Sequence, residues 1–219
     1  MSILVVGDVH GCYYTFKKLV DENFQPGEDL LVQVGDLIDR GNFAPETVGY
    51  ARELQEEHQA VFLKGNHEAL MLEHFRKREI PGWLMQGGAQ TVAQYESLKR
   101  DVESDLHWFE MLPLFWENEC VFISHAGISS LTDDPFKENH SENIIWTRSL
   151  LKNIGKLQIH GHTPQLDGTP KFNEASQSWN IDTAAVYGAG LTALQLDETG
   201  DVLKTIFVKT DEKDIKNNF

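Results

Sequence analysis

Short apolar runs punctuate the chain at Ile3–Val6, Leu30–Val34, Val61–Leu63, Val121–Ile123 and Leu157–Ile159. Most consist of Val, Ile and Leu without polar alternation, the pattern of strands in a sheet buried on both faces. Stretches of helical length and amphipathic spacing lie between them, at Tyr13–Glu22, Pro45–His58, His67–Arg78 and Ser104–Leu112. Pro45 stands near a helix start, where its fixed φ suits the first turn. The pattern then changes. Trp179–Asp182, Leu191–Leu196 and Val202–Val208 predict consecutive strands, the last two joined by an Asp-Glu-Thr-Gly-Asp turn. The mixed order of strands and helices is that of an α/β fold. Residues 1–208 are expected to form a single domain, and the Lys/Asp/Asn-rich end, 209–219, a frayed tail.

Composition narrows the function classes. No apolar run approaches the roughly 18–20 residues that span a bilayer, and the opening Met-Ser-Ile-Leu-Val-Val lacks the basic start of a secretory signal. The expected setting is the cytoplasm. Two cysteines, Cys12 and Cys120, have no paired zinc-thiolate spacing and suit a reducing compartment. With 34 acidic residues against 19 basic ones, the net charge is −15. Such a surface repels nucleic-acid polymers and anionic membranes. A phosphorylated substrate would need local positive charge, which bound divalent cations supply.

The polar residues that follow the apolar runs are unusual. Asp8, Asp36, Asn66, His125 and His162 each come within a few residues of the end of a run. In open α/β sheets, ligand sites form at the carboxyl ends of strands. Asp8 and His10 are two apart, so in extended chain they share a side. Carboxylate, imidazole and amide oxygen without thiolate suit Mn, Fe, Zn or Mg. An aspartate bridges two cations about 3.5–4 Å apart in such sites. With Asp36 as the bridge, Asp8 and His10 complete one ion's ligands, and Asn66, His125 and His162 the other's.

The segments Gly7-Asp8-Val9-His10-Gly11, Gly35-Asp36-Leu37-Ile38-Asp39-Arg40-Gly41 and Gly65-Asn66-His67-Glu68 occur in that order. Ser124-His125-Ala126-Gly127 and His160-Gly161-His162-Thr163-Pro164 follow. Together they resemble the calcineurin-like metallophosphoesterases, in particular the phosphoprotein phosphatase branch. The resemblance runs from about Ile3 to Val186. Its nearest likeness is to small bacterial and phage serine/threonine protein phosphatases of the lambda-phosphatase type, with the symmetrical diadenosine tetraphosphatases as cousins. It implies a metallophosphoesterase-type β-sandwich with flanking helices, in four α/β/β/α layers. It also implies that His67 and Asp39 form a catalytic pair and that Arg40 and Arg148 hold phosphoryl oxygens. Trp83–Gly88 and Ile145-Trp146-Thr147-Arg148 belong to the same likeness. Ala184, after Ile181-Asp182-Thr183, stands where these relatives usually have glycine.

The expected activity is hydrolysis of phosphate monoesters, phosphoserine and phosphothreonine in proteins, by a metal-bridging hydroxide with His67 as general acid. Two divalent cations, Mn first, are the expected cofactors. The alternative substrate is diadenosine tetraphosphate or another nucleotide polyphosphate, with Trp83, Trp146 and Tyr187 as candidate walls for the base. A remote alternative is an inactive phosphatase-like binding module. Cys12 is not read as a nucleophile, because no arginine-bearing phosphate loop follows it. Trp83 is read as a core residue followed by a turn. His58, His74, His107 and His140 are read as solvated or packed, whereas His160, two residues before His162, has a possible contact with the site.

Overall fold

A computed structural model describes residues 1–137 and 140–215. In chain order the strands are β1 (Ser2–Val6), β2 (Asp29–Gln33), β3 (Ala60–Phe62), β4 (Phe115–Glu117) and β5 (Val121–Ser124). They continue as β6 (Leu157–His160), β7 (Lys171–Asn173), β8 (Ser178–Asn180), β9 (Gly190–Leu196) and β10 (Val202–Lys209). The helices are α1 (Tyr13–Asn23), α2 (Ala44–Glu57), α3 (Asn66–Arg76), α4 (Pro81–Trp83), α5 (Ala89–Leu98), α6 (Val102–Met111) and α7 (Glu212–Ile215).

The predicted apolar runs are strands, but they divide between two mixed sheets of five. One has the order β10-β9-β1-β2-β3, the other β4-β5-β6-β8-β7. The three C-terminal runs likewise part company. β9 and β10 pair antiparallel in the first sheet, while β8 joins the second beside β6. Side chains alternate across a strand, and β1 uses both sides. Leu4 and Val6 join the core under the helices, while Ile3 and Val5 join the core between the sheets. That double burial explains why β1 has no polar alternation.

The helices gather over the first sheet, where Phe16, Leu19, Val48, Met71, Leu106 and Phe109 complete its outer core. Over the second sheet the cover combines α3 with a connecting segment. Phe122 packs against Ile128, Ile144 and Ile145, from a connecting segment without helix among its described residues, and against Ala69 of α3.

The chain beyond Val208 is anchored as far as it is described, contrary to the expected fraying. The buried Asp214 carboxylate accepts the Tyr14 and Thr15 N–H groups at 3.0 and 2.9 Å and the Thr15 hydroxyl at 2.6 Å. It thereby caps α1, whose own N-cap residue, Cys12, makes no side-chain cap. The final part of the expected tail, 216–219, lies outside the described residues. No helix among the described residues is long and apolar enough to cross a membrane.

Candidate metal centre

Asp8 and His10 follow β1, Asp36 follows β2, Asn66 opens α3 after β3, and His125 and His162 follow β5 and β6. Both sheets thus deliver these side chains to one crevice at strand carboxyl ends. The local backbone is costly. His10, Asp36, Asp39, Arg40 and His162 all have positive φ, between 47° and 73°. Such conformations cost roughly 1–2 kcal/mol for a non-glycine residue and persist only where surroundings impose them.

Glu68 is one of those surroundings. Its buried carboxylate accepts the N–H groups of Asp36 and Gly65 at 2.9 Å and of Leu37 at 2.8 Å. The sequence reading gave it no role, although it closes the Gly-Asn-His-Glu motif. Two glycines make the crowding possible: a Cβ on Gly65 would overlap Asp36, and one on Gly161 would overlap the Asp8 carboxylate.

Lone pairs converge here. His125 Nδ1 donates to the Val34 carbonyl at 3.1 Å. Its Nε2 then faces Asn66 Oδ1 at 2.9 Å, His162 Nδ1 at 3.1 Å and Asp36 Oδ2 at 3.3 Å. His162 Nδ1 also lies 2.8 Å from Asn66 Oδ1, while its Nε2 faces the Trp146 carbonyl at 3.1 Å and Arg148 Nε at 3.2 Å. With Nε2 turned to Trp146 and Arg148, Nδ1 is the nitrogen that faces the cluster. Acceptors at these separations need a positive charge between them.

A second cluster shares Asp36. His10 Nδ1 donates to the Ile38 carbonyl at 2.8 Å, and its Nε2 lies 3.6 Å from Asp36 Oδ2. His67 Nε2 is 4.0 Å from the same oxygen. The Arg40 guanidinium reaches both imidazoles, at 2.6 Å from His10 Nε2 and 2.8 Å from His67 Nε2. It stands where these lone pairs draw positive charge. Asp8 lies alongside: Oδ2 accepts the His162 N–H at 3.0 Å, and Oδ1 is buried with no hydrogen-bond partner among the described residues. An orphaned carboxylate oxygen and two groups of converging N and O donors fit a pair of divalent cations.

Burial, then the charge of Asp182, pushes Asp8 well above the usual carboxylate range. Burial also works against charge on Asp36, but His125 and His67 overcome it and hold that carboxyl well below its ordinary value. Burial opposes the His125 proton too; the Asp36 charge and hydrogen bond outweigh it and lift His125 to about 9. Burial and the charge of His125 lower His162 to about 3.

Beside the lone pairs, His67 Nδ1 lies 2.6 Å from Asp39 Oδ2. The Trp83 indole N–H donates to the same oxygen at 2.6 Å, and the Thr91 hydroxyl to Oδ1 at 2.6 Å. Trp83 is wholly buried. It is the expected core residue, but with a polar task. The turn after it is a π-type turn with left-handed Gly87, leading into an unpredicted helix, α5. Trp83 is therefore no wall for a base.

The remaining candidates fall into place around the site. Arg148 is exposed at its edge. Burial raises Asp182 to about 6, and its Oδ1 accepts the Ala184 N–H at 3.1 Å. Ala184 itself adopts φ 60°, the left-handed backbone that glycine favours. His160 makes no bond to the candidate ligands; its Nδ1 donates to the Gly161 carbonyl at 3.1 Å. His74 packs against Trp83 with ring centroids 4.8 Å apart and accepts the Ile80 N–H, a packed role as expected. The Cys12 thiol is buried and pushed well up, chiefly by that burial, so it is no nucleophile.

Comparison with known proteins agrees with this chemistry. The family described as calcineurin-like phosphoesterase matches residues 1–193. "Serine/threonine-protein phosphatase 1" of Salmonella typhimurium is 32% identical over 89% of this chain and 91% of its own length. The asymmetrical bis(5'-nucleosyl)-tetraphosphatase PrpE of Bacillus cereus is 29% identical over 90% of this chain and 92% of its own. Among solved structures, a Saccharomyces cerevisiae protein serine/threonine phosphatase superposes with a TM-score of 0.65 at 17% identity. That match covers 96% of this chain and 80% of the yeast one.

Proposed function

Since the chain belongs to the calcineurin-like phosphoesterases and is a hydrolase, we propose that it cleaves phosphate monoesters, phosphoserine and phosphothreonine in proteins foremost. The observation that carries the reading is the meeting of Asp36, Asn66, His125 and His162 lone pairs beside the orphaned Asp8 oxygen. Asp8, His10 and Asp36 would hold one divalent cation, and Asp36, Asn66, His125 and His162 the other. When bound, such a pair, Mn foremost and Fe, Zn or Mg otherwise, supplies Lewis acidity that makes water acidic and offsets phosphoryl charge.

The chain's own residues do the rest. Arg40 and Arg148 present planar forks of N–H donors that match phosphoryl oxygens. His67 carries a proton at Nε2 to the departing oxygen, while Asp39 holds Nδ1 and fixes the ring. Trp83 and Thr91 hold Asp39 in turn. The protein substrate is supported by the names of the Salmonella relatives.

A second reading, hydrolysis of a dinucleoside polyphosphate, is supported by the names of the Bacillus relatives. Those relatives are named as asymmetrical enzymes, not the symmetrical kind that the motifs resemble. Trp146, whose ring lies 6.3 Å from that of His162, is a candidate wall for a base under this reading.

The test is a Mn-supplemented panel of p-nitrophenyl phosphate, phosphoserine, phosphothreonine and phosphotyrosine peptides, and diadenosine tetraphosphate. Phosphate release from serine and threonine peptides without dinucleotide cleavage supports the first reading. Dinucleotide cleavage alone overturns it in favour of the second.

A further inference from the structure

Beside the candidate centre lies a cavity of about 220 Å³, with Arg148 and His160 in its wall. Arg148 connects it to the site, because its Nε is also 3.2 Å from His162 Nε2. At this volume it is smaller than the roughly 300–1,000 Å³ of a whole small-molecule site, so it suits part of a substrate. Its wall is distinctive for so acidic a protein. Arg148 and Lys171 both line it, and no carboxylate does among the described residues. Apart from His160, the other polar contributors are neutral hydroxyl and amide groups, including Ser149, Asn173 and Asn180.

The nearby carboxylates are engaged elsewhere. Glu142, behind the wall, accepts the hydroxyls of Ser129, Thr147 and Ser149. Asp167 pairs with Lys171 at 2.6 Å, but both side chains are half exposed. An exposed pair of that kind is worth little and yields readily to a better partner. Asn173 Oδ1 accepts the Ala175 and Ser176 N–H groups, while its amide nitrogen makes no hydrogen bond among the described residues.

We infer that this cavity is a second anion subsite, in which Arg148 and Lys171 hold another phosphate of the substrate whose first phosphate is cleaved at the centre. The inference rests on the hydrolase reading and deepens it. A second phosphate has two sources, a nucleoside polyphosphate or a peptide phosphorylated at neighbouring residues. Arg148 serves both subsites; Lys171 belongs to the second alone and is the residue to vary.

The experiment compares wild type with Lys171→Ala and Lys171→Arg, Mn-loaded, on four substrates. These are p-nitrophenyl phosphate, a singly phosphorylated peptide, the same peptide with two neighbouring phosphates, and diadenosine tetraphosphate. Lys171→Ala is expected to lower the preference for a second phosphate, as a ratio of kcat/KM values, by about ten- to a hundred-fold, the loss of one charge-assisted hydrogen bond. The change enters through KM, and Lys171→Arg restores it. Loss on the dinucleotide alone assigns the nucleotide source, and loss on the double phosphopeptide alone assigns the peptide source. An equal effect on all substrates, or none, overturns the inference. A wild type that cleaves none of the four overturns the hydrolase reading, and the inference with it.

Discussion

His67 Nδ1 lies 2.6 Å from Asp39 Oδ2 in a buried pair that the fold supports from outside the metal motifs. With Nδ1 thus engaged, Nε2 is the nitrogen turned toward Arg40 and Asp36. His67→Asn is expected to lower kcat by about 10²–10⁴-fold, the usual contribution of a general acid. Metal content per chain, measured by elemental analysis, stays at the wild-type level. Wild-type turnover in this variant would end the assignment.

Trp83 extends the pair, because its indole N–H donates to the oxygen that faces His67. Trp83→Phe keeps most of the ring volume and removes that donor. It is expected to cost about 1–2 kcal/mol of stability, from leaving a buried acceptor short of a partner. It should also lower kcat by about ten-fold, with KM for p-nitrophenyl phosphate little altered. Denaturant unfolding and steady-state kinetics check the two effects. A stability loss with unchanged kcat would confine Trp83 to packing.

Sequence made the ligand-type side chains legible because each closes an apolar run, and sheet geometry brings strand ends together. What it left out was carried by side chains that change role only in three dimensions. Trp83 looks like core because it is core; its bond to Asp39 spans 44 residues and has no local signature. Glu68 sits inside a recognised motif, yet its three backbone bonds appear only once Asp36 and Leu37 fold back onto it. The apolar runs revealed burial on both faces but not which run pairs with which; the two sheets came only from the family resemblance. β4 and β7, three residues each, are too short to show a period, and β7 is exposed throughout. The anchored end was missed because Asp214 reads as one more solvated charge until Thr15 is beside it.

Asp36 stands between both donor clusters, 3.3 Å from His125 and 3.6 Å from His10. Asp36→Asn keeps a side-chain oxygen and removes the charge. The expected outcome is loss of metal and of nearly all activity. Added Mn should raise the wild-type Tm, since a ligand at 100 times its Kd stabilises by about 2.7 kcal/mol, and leave the variant's Tm almost unmoved. Equal Mn responses would contradict the shared role.

Ala184 holds φ 60° beside Asp182. Glycine there relieves roughly 1–2 kcal/mol of left-handed strain against a comparable entropic cost of about 0.5–1 kcal/mol. Ala184→Gly should therefore leave Tm unchanged or slightly raised. Ala51→Gly, inside α2, should cost about 1 kcal/mol. A marked fall for Ala184→Gly in thermal unfolding would contradict this account of the turn.

The central claim is that phosphoester hydrolysis here depends on cations held by Asp8, His10, Asp36, Asn66, His125 and His162. Its most direct test is p-nitrophenyl phosphate turnover by chelator-treated protein, titrated with Mn. Negligible turnover is expected at the start, with a saturable rise as Mn is added. Turnover that survives complete chelation, or that no concentration of Mn, Fe, Zn or Mg restores, would contradict it.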